Sequence, residues 1–384
     1  MKLLSKIKKF RHDVYIEFYR HMPIQNNKII LWSNSFKQYG CSPKYITEYI
    51  LEHYPNKFDL VWVFEPGANI PADLHKKVRI VYYFSMEYLK ELHTAKFVIC
   101  NMRTGPAHYW KKRSKQIYIQ TWHSSLRLKK IECDAVDTLP SSYIEAAKED
   151  SLKIDLLLSG CKLSTQIFRR AFWYTGQILE SGTPRCDLFF QSTPKIREKV
   201  FHYYNLPLDT KLALYAPTFR NNKRAETHGM DFEALKKALE EKTGAKWIIA
   251  CRLHPNIRED AVTDGVTSMS RSRYPDMQEL LAASDCLITD YSSCMFDMAI
   301  AGKPCFLYVP DLDDYIRRER GLYFNILDLP FPACRNMSEL NNAICRFEEK
   351  TYKQNVDILL QTVGSYEDGQ AAACVVAYID SKSK

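Results

Sequence analysis

Short apolar runs rich in β-branched and aromatic residues recur along this chain, separated by stretches with helical spacing. In the first half the runs at 29–33, 60–64, 78–83, 97–101, 117–122, 154–159 and 178–181 read as strands. In the second half the same rhythm restarts at 212–216, 247–251, 286–289 and 305–309. Helical spacing fills 45–53, 86–92, 163–174, 195–204, 232–241, 277–283 and 292–301. Strands that are apolar on every residue are covered on both faces, so the pattern predicts α/β architecture with parallel sheets between helical layers. Two doubly wound domains in succession place a ligand cleft between them, at the carboxyl ends of their strands. The expected segments are a basic amphipathic start (1–24), a first domain (25–192), a second domain (193–363) and a C-terminal helix (364–384). That last helix is expected to cross back onto the first domain.

The length of 384 residues, beyond what one core usually serves, agrees with two domains. No apolar run reaches the ~20 residues that span a bilayer. The start does not read as a secretory signal, because lysines interrupt its apolar residues. Twelve cysteines are scattered without a C-x-x-C pair, and Cys100, Cys251 and Cys305 sit inside apolar runs. Reduced, buried thiols in a cytoplasmic protein are the reading that follows. The net charge of +9 admits nucleic acid, an anionic membrane or an acidic substrate as partner. No nucleic-acid motif is present, so that class is set aside. At the N-terminus, Lys2, Lys6, Lys8, Lys9 and Arg11 accompany Leu3, Ile7, Phe10 and Val14 at helical spacing. Such a helix can lie in an anionic membrane surface or pack on its own domain, and the spacing fits both.

Three strand ends carry candidate chemistry. At Thr289-Asp290-Tyr291-Ser292-Ser293 a strand gives way to a helix. Hydroxyls and free backbone N–H groups there can hold a phosphate, or the serines can simply cap the helix. At Gln120-Thr121-Trp122-His123-Ser124-Ser125, His123 can face the cleft as a general base or serve the fold, with Lys129 among the basic residues behind it. At Arg252-Leu253-His254-Pro255, alternation puts Arg252 and His254 on one face, suited to neutralising phosphoryl charge. Tyr215-Ala216-Pro217-Thr218-Phe219-Arg220 has a similar layout. Asp311-Leu312-Asp313 matches a D-x-D metal motif, but its place after a late strand favours a helix start, so no metal and no cofactor is expected.

These segments, with Gly182-Thr183-Pro184-Arg185-Cys186-Asp187, Tyr315-x4-Arg320-Gly321 and Asp368-Gly369-Gln370-Ala371, occur in one order. That order, from about residue 29 to 368, resembles the CDP-glycerol glycerophosphotransferase family of teichoic-acid and capsular primases and polymerases. The resemblance implies a GT-B-like fold of two Rossmann-like domains facing a central cleft. It also implies transfer of polyol phosphate from a CDP-polyol donor to a lipid-linked polyol-phosphate acceptor, with release of CMP. On it, His123 is the catalytic base and His254 a second essential histidine. Ser292 and Ser293 hold the nucleotide phosphates, Arg320 contacts the pyrophosphate, and Arg252, Thr218, Arg220, Asp290, Trp122 and Lys129 complete the substrate site. The family's Q-T-W-H-G-T, followed by proline and leucine, is here Q-T-W-H with Ser124, Ser125, Leu126 and Arg127, a departure that bears on the acceptor. A GT-B glycosyltransferase or epimerase using a nucleotide sugar shares the fold and is the rival reading.

Overall fold

In the computed structural model, residues 2–191, 193–218, 229–253, 265–318 and 321–384 are described. Among them the first half forms a seven-stranded sheet in the order β3-β2-β1-β4-β5-β6-β7, every pairing parallel. Its strands are β1 (Gln25–Trp32), β2 (Asp59–Phe64), β3 (Arg79–Tyr82), β4 (Ala95–Cys100), β5 (Ile117–Gln120), β6 (Leu156–Ser159) and β7 (Gln177–Glu180). The second half forms a six-stranded parallel sheet in the order β10-β9-β8-β11-β12-β13. These are β8 (Lys211–Ala216), β9 (Trp247–Cys251), β10 (Thr267–Ser268), β11 (Cys286–Thr289), β12 (Cys305–Tyr308) and β13 (Ala333–Cys334). Counted within its own half, the second sheet runs 3-2-1-4-5-6 and the first the same order with a seventh strand added, the doubly wound arrangement that opens a crevice where strand order reverses. The reversals lie between β1 and β4 and between β8 and β11.

The strand period of two explains how one apolar run serves two cores. On β1, Ile30 and Trp32 join a cluster with Ile16 of α1 (Lys2–His21), two leucines of α3 (Met86–Thr94) and Phe168 of α5 (Lys162–Ala171). Their neighbours Ile29 and Leu31 point the other way, toward Ile46 and Ile50 of α2 (Cys41–His53). That second layer also receives Val375, Val376 and Ile379 of α13 (Ala371–Lys382), from the far end of the chain. The remaining helices are α4 (Ser141–Ser151), α6 (Thr193–Tyr203), α7 (Phe232–Thr243), α8 (Met277–Ala283), α9 (Cys294–Ile300), α10 (Leu312–Arg318), α11 (Met337–Cys345) and α12 (Glu349–Thr362). No helix among the described residues is long and apolar enough to cross a membrane.

Two sets of contacts close the seam between the halves. At one end, Leu128–Lys130 lies antiparallel to Gly321–Tyr323: the Lys130 N–H donates to Gly321 O and the Tyr323 N–H to Leu128 O, both at 2.8 Å. At the other, Lys44 of α2 is buried against Asp276 and Glu279, the latter at 2.6 Å. Asn69 donates across the same gap to Ser272 O at 2.8 Å.

Candidate active site

β5 ends at Gln120, and the chain turns sharply at Trp122, whose φ of +52° lies in the left-handed region. That turn sets His123 beside the tip of β4, with Nδ1 3.0 Å from Asn101 O. A carbonyl can only accept, so the Nδ1 proton is fixed there, and the neutral ring keeps its basic lone pair on Nε2. Asn101 is held in turn by the loop after β1. Its Oδ1 accepts from the Asn34 N–H at 2.8 Å, and its Nδ2 donates to Asn34 Oδ1 at 2.9 Å. The loops on both sides of the first switch point therefore set the tautomer of His123.

Trp122, read from the sequence as a substrate contact, is buried behind the histidine, its ring 4.4 Å from the imidazole and edge-on to Phe172 at 4.9 Å. Arg127, where the resembled family has leucine, is also buried, with its guanidinium 4.2 Å from the Phe168 ring centroid. Burial lowers its pKa to about 10.

At the second switch point, buried Asp290 accepts from the Thr218 N–H at 2.9 Å, from the Thr218 hydroxyl and from the Tyr291 N–H at 2.6 Å. It ties the end of β8 to the end of β11, so both Asp290 and Thr218 shape the crevice wall. Ser292 and Ser293 follow, half-buried, at the start of α9. Ser293 stands at the cap position without a side-chain capping bond, and the Cys294 N–H lies 3.4 Å from Ser292 Oγ. Behind them Tyr291 stacks on Tyr315 with ring centroids 3.5 Å apart. Lys129, from the first half, brings its Nζ to 5.3 Å from the Tyr315 ring.

Arg252 departs from the expected role. Its guanidinium donates to three backbone carbonyls, Met269 O at 3.0 Å, Tyr274 O at 2.8 Å and Pro275 O at 3.1 Å. It braces the segment between β10 and α8 from within, and burial lowers its pKa to about 10. His254, Arg220 and Arg320 lie outside the described residues.

Several groups with no role in the sequence reading join this centre. Arg185 donates to the backbone carbonyl of His123 and, at 2.5 Å, to Asp297 of α9. Glu367 accepts from the Thr183 N–H at 3.0 Å, the Thr183 hydroxyl at 2.8 Å and the Ser125 side chain. Burial pushes its pKa up to about 7. Asp187 accepts from the N–H groups of Ala371 and Ala372, anchoring the start of α13. A cavity of about 810 Å³ opens farther along the seam, between Tyr39 and Lys44 of the first half and Arg273 and Tyr274 of the second.

Residues 14–381 match a family model described as CDP-glycerol:poly(glycerophosphate) glycerophosphotransferase. The teichoic acid glycerol-phosphate transferase of Staphylococcus aureus (strain NCTC 8325 / PS 47) is 33% identical over 390 residues, covering 96% of this chain and 97% of that one. The teichoic acid poly(glycerol phosphate) polymerase of Staphylococcus epidermidis is 32% identical over 366 residues, covering 91% of this chain; the chain spans about half the length of that polymerase (50%). The structure of the wall teichoic acid polymerase TagF superposes with a TM-score of 0.83 at 28% identity, covering 100% of this chain and 98% of that one. S. aureus MnaA, solved with UDP, shares the fold at 14% identity and a TM-score of 0.56, covering 92% of this chain and 96% of that one. The chain belongs to the CDP-glycerol:poly(glycerophosphate) glycerophosphotransferase family, an enzyme family of GT-B-like fold.

Proposed function

We propose that this protein transfers glycerol phosphate from CDP-glycerol to a hydroxyl of a lipid-linked polyol-phosphate chain, releasing CMP. The observation that carries the reading is the fixed tautomer of His123, held by Asn101 O and tied through Arg185 to the helix that follows Ser292 and Ser293. The relatives support it: a matched transferase of nearly equal length is named for glycerol phosphate, and a variant of the TagF polymerase was soaked with CDPG.

In the proposed reaction the acceptor oxygen attacks the β-phosphorus of CDP-glycerol in line. The new O–P bond forms as the bond from that phosphorus to the bridging oxygen breaks, and CMP departs with the bonding pair. His123 Nε2 takes the acceptor proton. Ser292 and Ser293 hold the donor phosphates, with His254, Arg220 and Arg320 assigned beside them. Fixed positive groups and N–H donors carry out the charge stabilisation, with no metal or cofactor required.

The acceptor places the enzyme at the cytoplasmic face of the membrane. On α1, His12 and Ile16 are buried while Val14, Tyr15 and Phe18 face outward. That outward apolar face, next to the lysine-rich start, supports peripheral contact with anionic lipid.

The deciding experiment is CMP release from CDP-glycerol and CDP-ribitol with a lipid-linked glycerol-phosphate acceptor and EDTA throughout. Acceptor-dependent CMP from CDP-glycerol is expected, and His123→Ala should lower kcat by ~10²–10⁴. Activity of that variant within a few-fold of the parent removes His123 as base. Tight binding of UDP-sugars with none of CDP-polyols overturns the donor assignment.

A further inference from the structure

We propose that Arg185 is a positioning residue of the transfer reaction, one that locks the base-bearing loop of the first half to the phosphate-binding helix of the second. The inference rests on the roles proposed above for His123, Ser292 and Ser293. Arg185 lies just after Pro184 in the turn that follows β7, and only 7% of it is exposed. One terminal nitrogen donates to the backbone oxygen of His123 itself. The other reaches Asp297 Oδ2 at 2.5 Å. Asp297 is 1% exposed and is steadied within its own half by Gln278 Nε2, which donates to the same oxygen at 3.1 Å.

Three physical points turn this contact into a function. First, His123 is gripped at both ends: Asn101 O holds the ring, and Arg185 holds the carbonyl. Second, Asp297 stands four residues after Ser293, one helical turn along on the same face, so its direction is coupled to that of the serine. Third, a planar guanidinium presents its donors in a rigid fork that fixes the separation of its two acceptors, whereas the donors of lysine share one freely rotating nitrogen. Arg185 therefore ties the base directly to the helix behind the donor phosphates, in addition to the strap at Leu128–Lys130 and the Lys44 cluster that hold the halves together. A buried ion pair is weak evidence for added stability, because desolvating both charges offsets their attraction. Its place between the two halves is explained by alignment.

The test separates alignment from simple structural support. In the double variant Arg185→Gln/Asp297→Asn, neither charge is left buried alone, so the fold is preserved and its melting temperature stays within a few degrees of the parent. CDP-glycerol affinity, measured without acceptor, is expected to remain within ~3-fold, while kcat falls by ~10² or more, as misplacement of about 1 Å does. Arg185→Lys, which keeps the charge, is expected to lose ~10-fold or more in kcat at unchanged donor affinity. A double variant with kcat within ~3-fold of the parent reduces Arg185 to an ordinary ion pair and overturns the proposal. A loss confined to donor affinity, with kcat intact, overturns it as well. Should the double variant not fold, full kcat in Arg185→Lys is the overturning result. His123→Ala measured in parallel keeps the two ideas apart: if it stays active, the base assignment fails regardless of Arg185.

Discussion

Glu367 takes its hydrogen bonds from neutral donors, the Thr183 N–H and hydroxyl and the Ser125 side chain. Space around it is tight. A Cβ at Gly160 would come within 2.6 Å of its carboxylate, so only glycine lets that turn approach so closely. Burial raises its pKa from 4.5 to about 7. The folded state therefore holds this proton more firmly than the unfolded chain does. Its contribution to stability is complete below about pH 4.5 and is lost as pH rises through about 7. The total is ~3 kcal/mol at ~1.4 kcal/mol for each pH unit between the two values. In Glu367→Gln that slope should vanish. Urea unfolding from pH 5 to 8 should show the parent losing about 2–3 kcal/mol more than the variant. Parallel curves for the two proteins would show that the carboxyl does not titrate in this window.

At the scale of elements, α1 makes a clear claim about its outward face. Phe18 is 63% exposed and stands one turn after Val14, 52% exposed. Burying a phenylalanine in lipid is worth about 1.5–3 kcal/mol, so Phe18→Asp should weaken sedimentation with phosphatidylglycerol vesicles by ~10-fold or more. Turnover on a short soluble acceptor should not change. Equal sedimentation of parent and variant would remove the membrane role of this helix.

Legibility in the sequence also varied by element. The interior strands of both sheets were readable because burial on two faces demands uninterrupted apolar runs. β10 and β13 were not: each has two residues, Thr267–Ser268 and Ala333–Cys334, and exists through pairing with β9 or β12. The exposed, mostly polar α4 likewise lacks a wide apolar stripe. The positions of His123, Ser292 and Ser293 just after strand ends were readable, because a strand end is a local feature. What surrounds them depends on the fold, as with Arg185 and Asp297, 112 positions apart, or Thr183 and Glu367, 184 apart. The strand leading to Arg252 lies where the apolar run at 247–251 put it, but no local signal announces that the carbonyls of 269–275 claim its guanidinium.

For the whole molecule, the cluster around Lys44 is the counterpart of the strap at Leu128–Lys130. Lys44 is 3% exposed and pairs with Asp276 and Glu279. Tyr45 donates to Asp276 at 2.8 Å, and Lys199 to Glu279 at 2.8 Å. Removing the central cation leaves Asp276, itself only 3% exposed, without the lysine beside it. Lys44→Met should therefore destabilise the protein by about 3–5 kcal/mol in urea unfolding. A change below about 1 kcal/mol would mean that water already screens the cluster.

The return of α13 to the first sheet has a consequence for how the protein is made. Val375, Val376 and Ile379 complete the layer over Ile29 and Leu31, and Asp187 waits for the N–H groups at the helix start. During synthesis β7 has left the ribosome long before these residues exist. At ~5–20 residues per second, about 200 further residues take roughly 10–40 s to appear. Throughout that interval the nascent first half carries an apolar face that α2 covers only in part, while the second half, begun later, can close around its own core. The part of the enzyme translated first is thus finished last, and a chaperone binding the growing chain would find its longest-lived target on that face.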